Sequence, residues 1–157
     1  MGLFKNYVSQ TRKPEGFLGK MMLGGMYSEL SVEKAKEYNK TMIAAGRCEV
    51  LQGDVSDLKL PKETFDLATA FETIYFWPGL EKCFSQVAKV LKPGGYFMIC
   101  NESDGTDPTS LKFEKIIDGM KNHTPEEIEA ALKAAGFSEV MSDHHLSRPW
   151  ITVVAKK

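Results

Sequence analysis

The stretch FDLATAFETIYFWPGLEKCFSQVAKVLKPGG, residues Phe65–Gly95, decides the fold. Phe65 to Phe71 are mostly apolar and small, as in a strand buried on both faces. Leu80, Cys83, Phe84, Val87, Val90 and Leu91 then fall at i, i+3, i+4, i+7, i+10 and i+11, which predicts a helix over 80–91. Pro93-Gly94-Gly95 stops that helix and turns the chain. Tyr96 to Cys100 reads as a second buried strand. A strand, a helix and a strand in succession predict a parallel βαβ unit.

The same alternation extends outward. Upstream, Cys48 to Leu51 is a short strand stopped by Gly53-Asp54, preceded by a helix over 31–45. That helix carries the stripe Ala35, Tyr38, Met42 and Ala45, with Ser28 or Ser31 to cap it and Gly46 to end it. Downstream, Leu111, Phe113, Ile116, Ile117 and Met120 suggest another helix. Thr124-Pro125-Glu126-Glu127 is a capping box with Pro at the first helical position, opening a helix that buries Ile128, Ala131, Leu132 and Ala135. Val140–His144 and Ile151–Ala155 fit two final strands with no helix between them, hence an antiparallel hairpin at one edge. Residues 1–26 differ in character. Gly16, Gly19, Gly24 and Gly25 alternate with Phe17, Leu18, Met21, Met22, Leu23 and Met26, which reads either as a packing arm or as an adaptable lid over a ligand pocket.

Bulk properties bound the function. A chain of 157 residues with 43% apolar content suits one domain with a real core. Twenty basic against 21 acidic residues leave a net charge of −1, so no strong field recruits nucleic acid or an anionic membrane. Three widely spaced cysteines argue against a disulfide framework or zinc site and for a reducing compartment. The amino-terminal stretch lacks the apolar run of a signal peptide, and no segment reaches the ~20 apolar residues of a membrane span. A cytoplasmic protein is expected.

Three candidate sites sit just after predicted strands, where open α/β sheets bind ligands. Gly53-Asp54 offers a carboxylate to an amine or hydroxyl, or else forms an Asx turn. In the segment from Phe71 to Pro78, aromatic rings either wall an apolar pocket or pack on the following helix. Glu72 is the polar group of such a pocket, and Tyr75 and Trp77 are its best aromatic candidates. Glu102 orients a substrate or acts as a base if partly buried, and is simply solvated otherwise. His144-His145 point to opposite faces of a strand and have no third ligand at suitable spacing, so no metal is expected.

Taken together, residues 27–157 resemble a class I S-adenosylmethionine-dependent methyltransferase. The Phe65–Gly95 segment resembles the family's fourth strand, its post-strand segment and the turn into the fifth strand. LQGDVSDLKLPKETFD resembles the stretch whose acidic residue, here Asp54, contacts the adenine amine, with Gly53 and Val55 beside it. The resemblance implies S-adenosylmethionine as cofactor, with Ala70 and Phe71 lining it and Glu72, Tyr75, Trp77 and Glu102 shaping a small-molecule substrate pocket. AAGFSEV, Ala134–Val140, matches the family's carboxyl-terminal end. The implied fold is a Rossmann-like α/β domain with a mostly parallel sheet and a terminal antiparallel hairpin.

The sequence departs from the family's pattern at one place. The first strand with its acidic-Gly-x-Gly-x-Gly loop and the second strand with its ribose-binding acid are missing. Gly24-Gly25-Met26 runs straight into Tyr27-Ser28-Glu29-Leu30, and no strand is expected before Gly24-Gly25. The expectation is a truncated sheet, impaired cofactor binding, and a bare edge on the Phe65 strand. Either the Cys48 strand slides over to that edge or two copies pair there as a homodimer. The alternative to an enzyme is a non-catalytic methyltransferase-derived protein that dimerises and binds a ligand or partner.

Overall fold

The computed structural model describes residues 6–11, 20–24 and 29–157. Its strands are β1 (Asn6–Thr11), β2 (Lys20–Gly24), β3 (Glu49–Gly53), β4 (Phe65–Phe71), β5 (Leu91–Asn101), β6 (Glu139–His144) and β7 (Ile151–Lys156). Its helices are α1 (Glu29–Tyr38), α2 (Lys40–Ala44), α3 (Leu80–Val90), α4 (Pro108–Ile116) and α5 (Pro125–Ala134). The strands form one sheet in the order β3-β1-β2-β4-β5-β7-β6.

The predicted bare edge of β4 is filled. β2 pairs with it in parallel, Leu23 opposite Ala70, and β1 joins β2 to β3 with both pairings antiparallel. Neither repair expected from the sequence places a strand there; Lys20–Gly24 does. Gly24 therefore does end a strand, contrary to expectation. KMMLG lacks the alternation that reveals a half-buried strand, so its pairing partners rather than its own pattern define it. Because β1 is reversed and the carboxyl-terminal hairpin is present, only the β2–β4 and β4–β5 pairings are parallel among the described residues, and the sheet is mixed.

One face of the sheet carries the core. Ala68, Ala70, Phe97, Ile99, Ile151, Val153 and Ala155 meet Cys83, Phe84 and Val87 of α3 and Ile128 and Leu132 of α5, all essentially buried. Each large apolar side chain buried there contributes about 1.5–3 kcal/mol. The turn between α3 and the rest of β5 needs a glycine at 95. A Cβ there would stand 2.9 Å from the Lys92 carbonyl oxygen and 3.2 Å from that of Asp66. A smaller cluster, Val32, Cys48 and Val50 with Ala35, Met42 and Ile43, holds α1 and α2 against β3. The predicted single helix over 31–45 is two, broken at Asn39, whose side-chain amide donates to the Ala35 carbonyl. Tyr38, placed in the stripe by its spacing, is 90% exposed.

The capping box at α5 forms as read: the Glu127 N–H donates to the Thr124 hydroxyl (3.3 Å) and the Thr124 N–H to the Glu127 carboxylate (3.1 Å). Helix α4 is present but buries no residue, and Ile117 and Met120 lie beyond its end. No helix among the described residues is long and apolar enough to cross a membrane.

Candidate functional site

The carboxyl ends of β4 and β5 are wired together by Glu72. It sits in left-handed backbone (φ 53°), a conformation that costs a residue with a Cβ about 1 kcal/mol or more and persists only where surroundings hold it. Three hydrogen bonds hold it. Its N–H donates to the Cys100 carbonyl (3.0 Å). Its carboxylate accepts the Glu102 N–H (2.6 Å) on one oxygen and the Tyr75 hydroxyl (3.4 Å) on the other. The Tyr75 oxygen in turn accepts the Ser103 N–H (3.2 Å). Partial burial pushes the Glu72 carboxyl up, reinforced by the nearby Glu102 charge and opposed by the Glu102 N–H. Burial, then the Glu72 charge, pushes the Tyr75 phenol well above its ordinary value. Tyr75 is therefore a neutral donor at physiological pH.

The loop after β5 is equally fixed. Ser103 donates its hydroxyl to Asp107 (2.9 Å), and Asp107 caps α4 by accepting the Ser110 N–H (2.9 Å). Asp104 accepts from Thr106 and from the Asp107 N–H. Gly105 (φ 78°) lets this loop press on the backbone of His123, where a Cβ would fall 2.6 Å from the carbonyl carbon.

A cavity of about 340 Å³ opens between these loops, α4 and the start of β7. Glu72, Tyr75 and Glu102, three of the four residues expected at a substrate pocket, line it together. Trp77, the fourth, does not. It lies in the core at 6% exposure, stacked on Phe97 (centroids 6.3 Å apart) and edge-on to Phe84 (5.9 Å). The short 3-10 turn Ile74–Phe76 rotates it to the opposite side from the cavity. The sequence reading missed Asp107, Phe113 and Trp150 on the cavity wall. Trp150 had a readable signal. β7 runs antiparallel to β5 with Ile151 opposite Asn101, so the residue before β7 must stand at the carboxyl end of β5.

The other candidate positions lie across the sheet. The carboxyl ends of β3 and β4 are three strand spacings apart, about 14 Å. Asp54 is exposed at the first. One carboxylate oxygen accepts the Ser56 N–H (2.8 Å), making the Asx turn that was its simpler reading. The other accepts no hydrogen bond from a described residue. A cleft of about 100 Å³ beside it is lined by Leu51, Gly53, Asp54, Leu58 and Leu60. Val55 (1% exposed) and Ala70 (0%) are buried members of the core. Phe71 is 44% exposed at the end of β4.

Tested against S-adenosylmethionine, these residues fit its adenine end: an exposed carboxylate oxygen at Asp54 beside an apolar cleft. The middle of the edge fits less well. β1 is reversed, so its amino end, with Asn6 opposite Gly53, lies where a parallel strand would present its carboxyl end.

A family model described as a methyltransferase domain matches residues 13–99. The sterol 24-C-methyltransferase of Pneumocystis carinii is 27% identical over 150 residues, covering 85% of this chain and 39% of that protein. That of Saccharomyces cerevisiae is 30% identical over 147 residues, covering 85% and 38%. The chain thus spans about two-fifths of the length of the curated relatives it matches. Among solved structures, an S-adenosylmethionine-dependent methyltransferase from Thermotoga maritima superposes with a TM-score of 0.59 at 22% identity, over 76% of this chain and 68% of that one. Phosphoethanolamine N-methyltransferase 2 of Haemonchus contortus, solved with S-adenosyl-L-methionine, gives 0.57 at 16% identity, over 67% and 36%. These likenesses share the α/β architecture described above. With the family model matching more than half of its residues, the chain belongs to the methyltransferase domain family, the class I S-adenosylmethionine-dependent methyltransferases.

Proposed function

We propose that this chain carries the acceptor side of a methyltransferase for a small molecule, with a weakened hold on S-adenosylmethionine. One observation carries the reading: the cavity walled by Glu72, Tyr75 and Glu102 opens at the carboxyl ends of β4 and β5, on the edge where Asp54 also stands. When bound, S-adenosylmethionine supplies an electrophilic methyl group. Asp54 would accept a hydrogen bond from its adenine amine. Tyr75 and Trp150 would keep water from the acceptor, since methyl transfer needs mainly positioning and a desolvated pocket. Glu102, exposed and without a hydrogen bond to its carboxylate among the described residues, would take the proton an acceptor gives up. The weak point is the middle of the edge, where the reversed β1 begins rather than ends.

Calorimetric titration of S-adenosylmethionine tests this. Binding weaker than about 100 μM, roughly −5.5 kcal/mol, is expected, and Asp54→Ala should abolish it. Tighter binding would overturn the impairment, and binding indifferent to Asp54 would overturn the site.

A second reading, a non-catalytic homodimer, draws support from the sheet face opposite α3 and α5. Tyr96 (43% exposed) and Met141 (67%) stand there, with half-buried Leu67, Met98 and Val154 beside them. Light scattering at several concentrations tests it, and a monomer throughout removes it.

A further inference from the structure

Charge, shape and an existing contact together indicate what the cavity beside Glu102 admits. Its ionised wall is acidic: Glu72, Glu102 and Asp107 line it, and among the described residues no Lys, Arg or His does. Glu72 and Asp107 are occupied by the hydrogen bonds already described, so Glu102 is the carboxylate left to a ligand. The remaining wall carries three rings, Tyr75, Phe113 and Trp150, among two serines, a threonine, Met120 and Pro149, and Phe113 and Trp150 keep 49% and 36% of their surface open. One of these rings already holds a cation. The Arg148 guanidinium, which does not line the cavity, lies 4.5 Å from the Trp150 centroid. His145 meets the same indole edge-on at 5.4 Å. Indole faces attract cations, and aromatic walls with a carboxylate suit alkylammonium groups.

We propose that this cavity recognises a small alkylammonium group, with Glu102 as its counter-charge and Trp150 and Phe113 as its walls. The inference rests on the small-molecule reading above and names the acceptor class as an organic amine. Simple anions meet three carboxylates there, and neutral molecules forgo both the ion pair and the cation–π contact.

Tetramethylammonium chloride and tert-butyl alcohol, similar in bulk and different in charge, are the probes. Each is titrated into the intact chain at constant ionic strength while the indole N–H signals are followed. Tetramethylammonium should shift the Trp150 signal at least tenfold more tightly than the alcohol, with Trp77 unmoved. Glu102→Gln should weaken it about three- to fivefold, the scale of an exposed ion pair. Equal response to the two probes, or an unchanged affinity in Glu102→Gln, overturns the proposal. S-adenosylmethionine is titrated separately. Cation binding without cofactor binding supports the amine site and sinks the methyl-transfer reading. Cofactor binding with no preference for the cation does the reverse.

Discussion

The two ends of the sheet's ligand-facing edge are built differently. At β4 and β5 the loops are cross-braced: Glu72, Tyr75, Ser103, Asp107 and Ser110 form a chain of hydrogen bonds, seated on a core whose members are almost wholly buried. At β3 the loop is shaped locally, by the Asx bond and by the Asp57 N–H donating to the Asp54 carbonyl, and a small apolar cluster supports the strand. The difference teaches that the two halves of one sheet edge can be held by separate means, because each half has its own apolar support. Strand slots are filled by whatever backbone can pair, whereas a side-chain network needs particular residues.

Substitutions can break that contrast. The largest effect is expected from Trp77→Ala, which opens the core between Phe84 and Phe97. It should cost about 3–5 kcal/mol in chemical denaturation, whereas Trp150→Ala should cost under about 1 kcal/mol. Similar losses would mean that the two tryptophans are not divided between core and cavity.

Next comes Glu72→Gln, which weakens the brace and should cost about 1–2 kcal/mol. It also has a pH signature. The folded-state carboxyl of Glu72 is raised above its ordinary value of 4.5. A raised acid favours the folded state most while protonated, so its contribution is full below 4.5 and falls as pH rises through the raised value. Wild-type stability measured from pH 4 to 7 should therefore carry a downward component that Glu72→Gln lacks. Parallel pH profiles would show that burial does not raise the Glu72 carboxyl.

Val50→Ala in the cluster under β3 should cost about 1–2 kcal/mol, less than Trp77→Ala because fewer neighbours surround it. A loss as large as that of Trp77→Ala would show that both halves share one cooperative core. The smallest stability effect belongs to Asp54→Ala. Losing one cap of a short turn should cost about 0.5–1 kcal/mol, with its main consequence in S-adenosylmethionine binding.

Legibility in the sequence followed the same division. The α3 stripe, the Thr124 capping box and the closing hairpin were readable because each is a local pattern with a local cause. That Glu72, Tyr75 and Glu102 would stand near one another was readable because all three follow strands whose carboxyl ends share one edge. Trp77 was not, because its direction depends on a three-residue turn that no periodicity encodes. Val55 and Ala70 were placed by family position, while their side chains answer to the core. The pairing of β1 and β2 with β3 and β4 was invisible, since a strand recognised by its neighbours has no signature of its own. Trp150 could have been found by asking where an antiparallel last strand must begin.

The placement of β1 and β2 also bears on how the chain is made. Synthesis delivers β1 and β2 before their partners in the sheet, β3 and β4, which are residues 49–53 and 65–71. A nascent chain therefore passes through a stage in which this hairpin has two unpaired edges and nothing to dock on. Two distant pairings end it, β1 with β3 and β2 with β4. The segment that completes the sheet in space is the one that must wait longest in time.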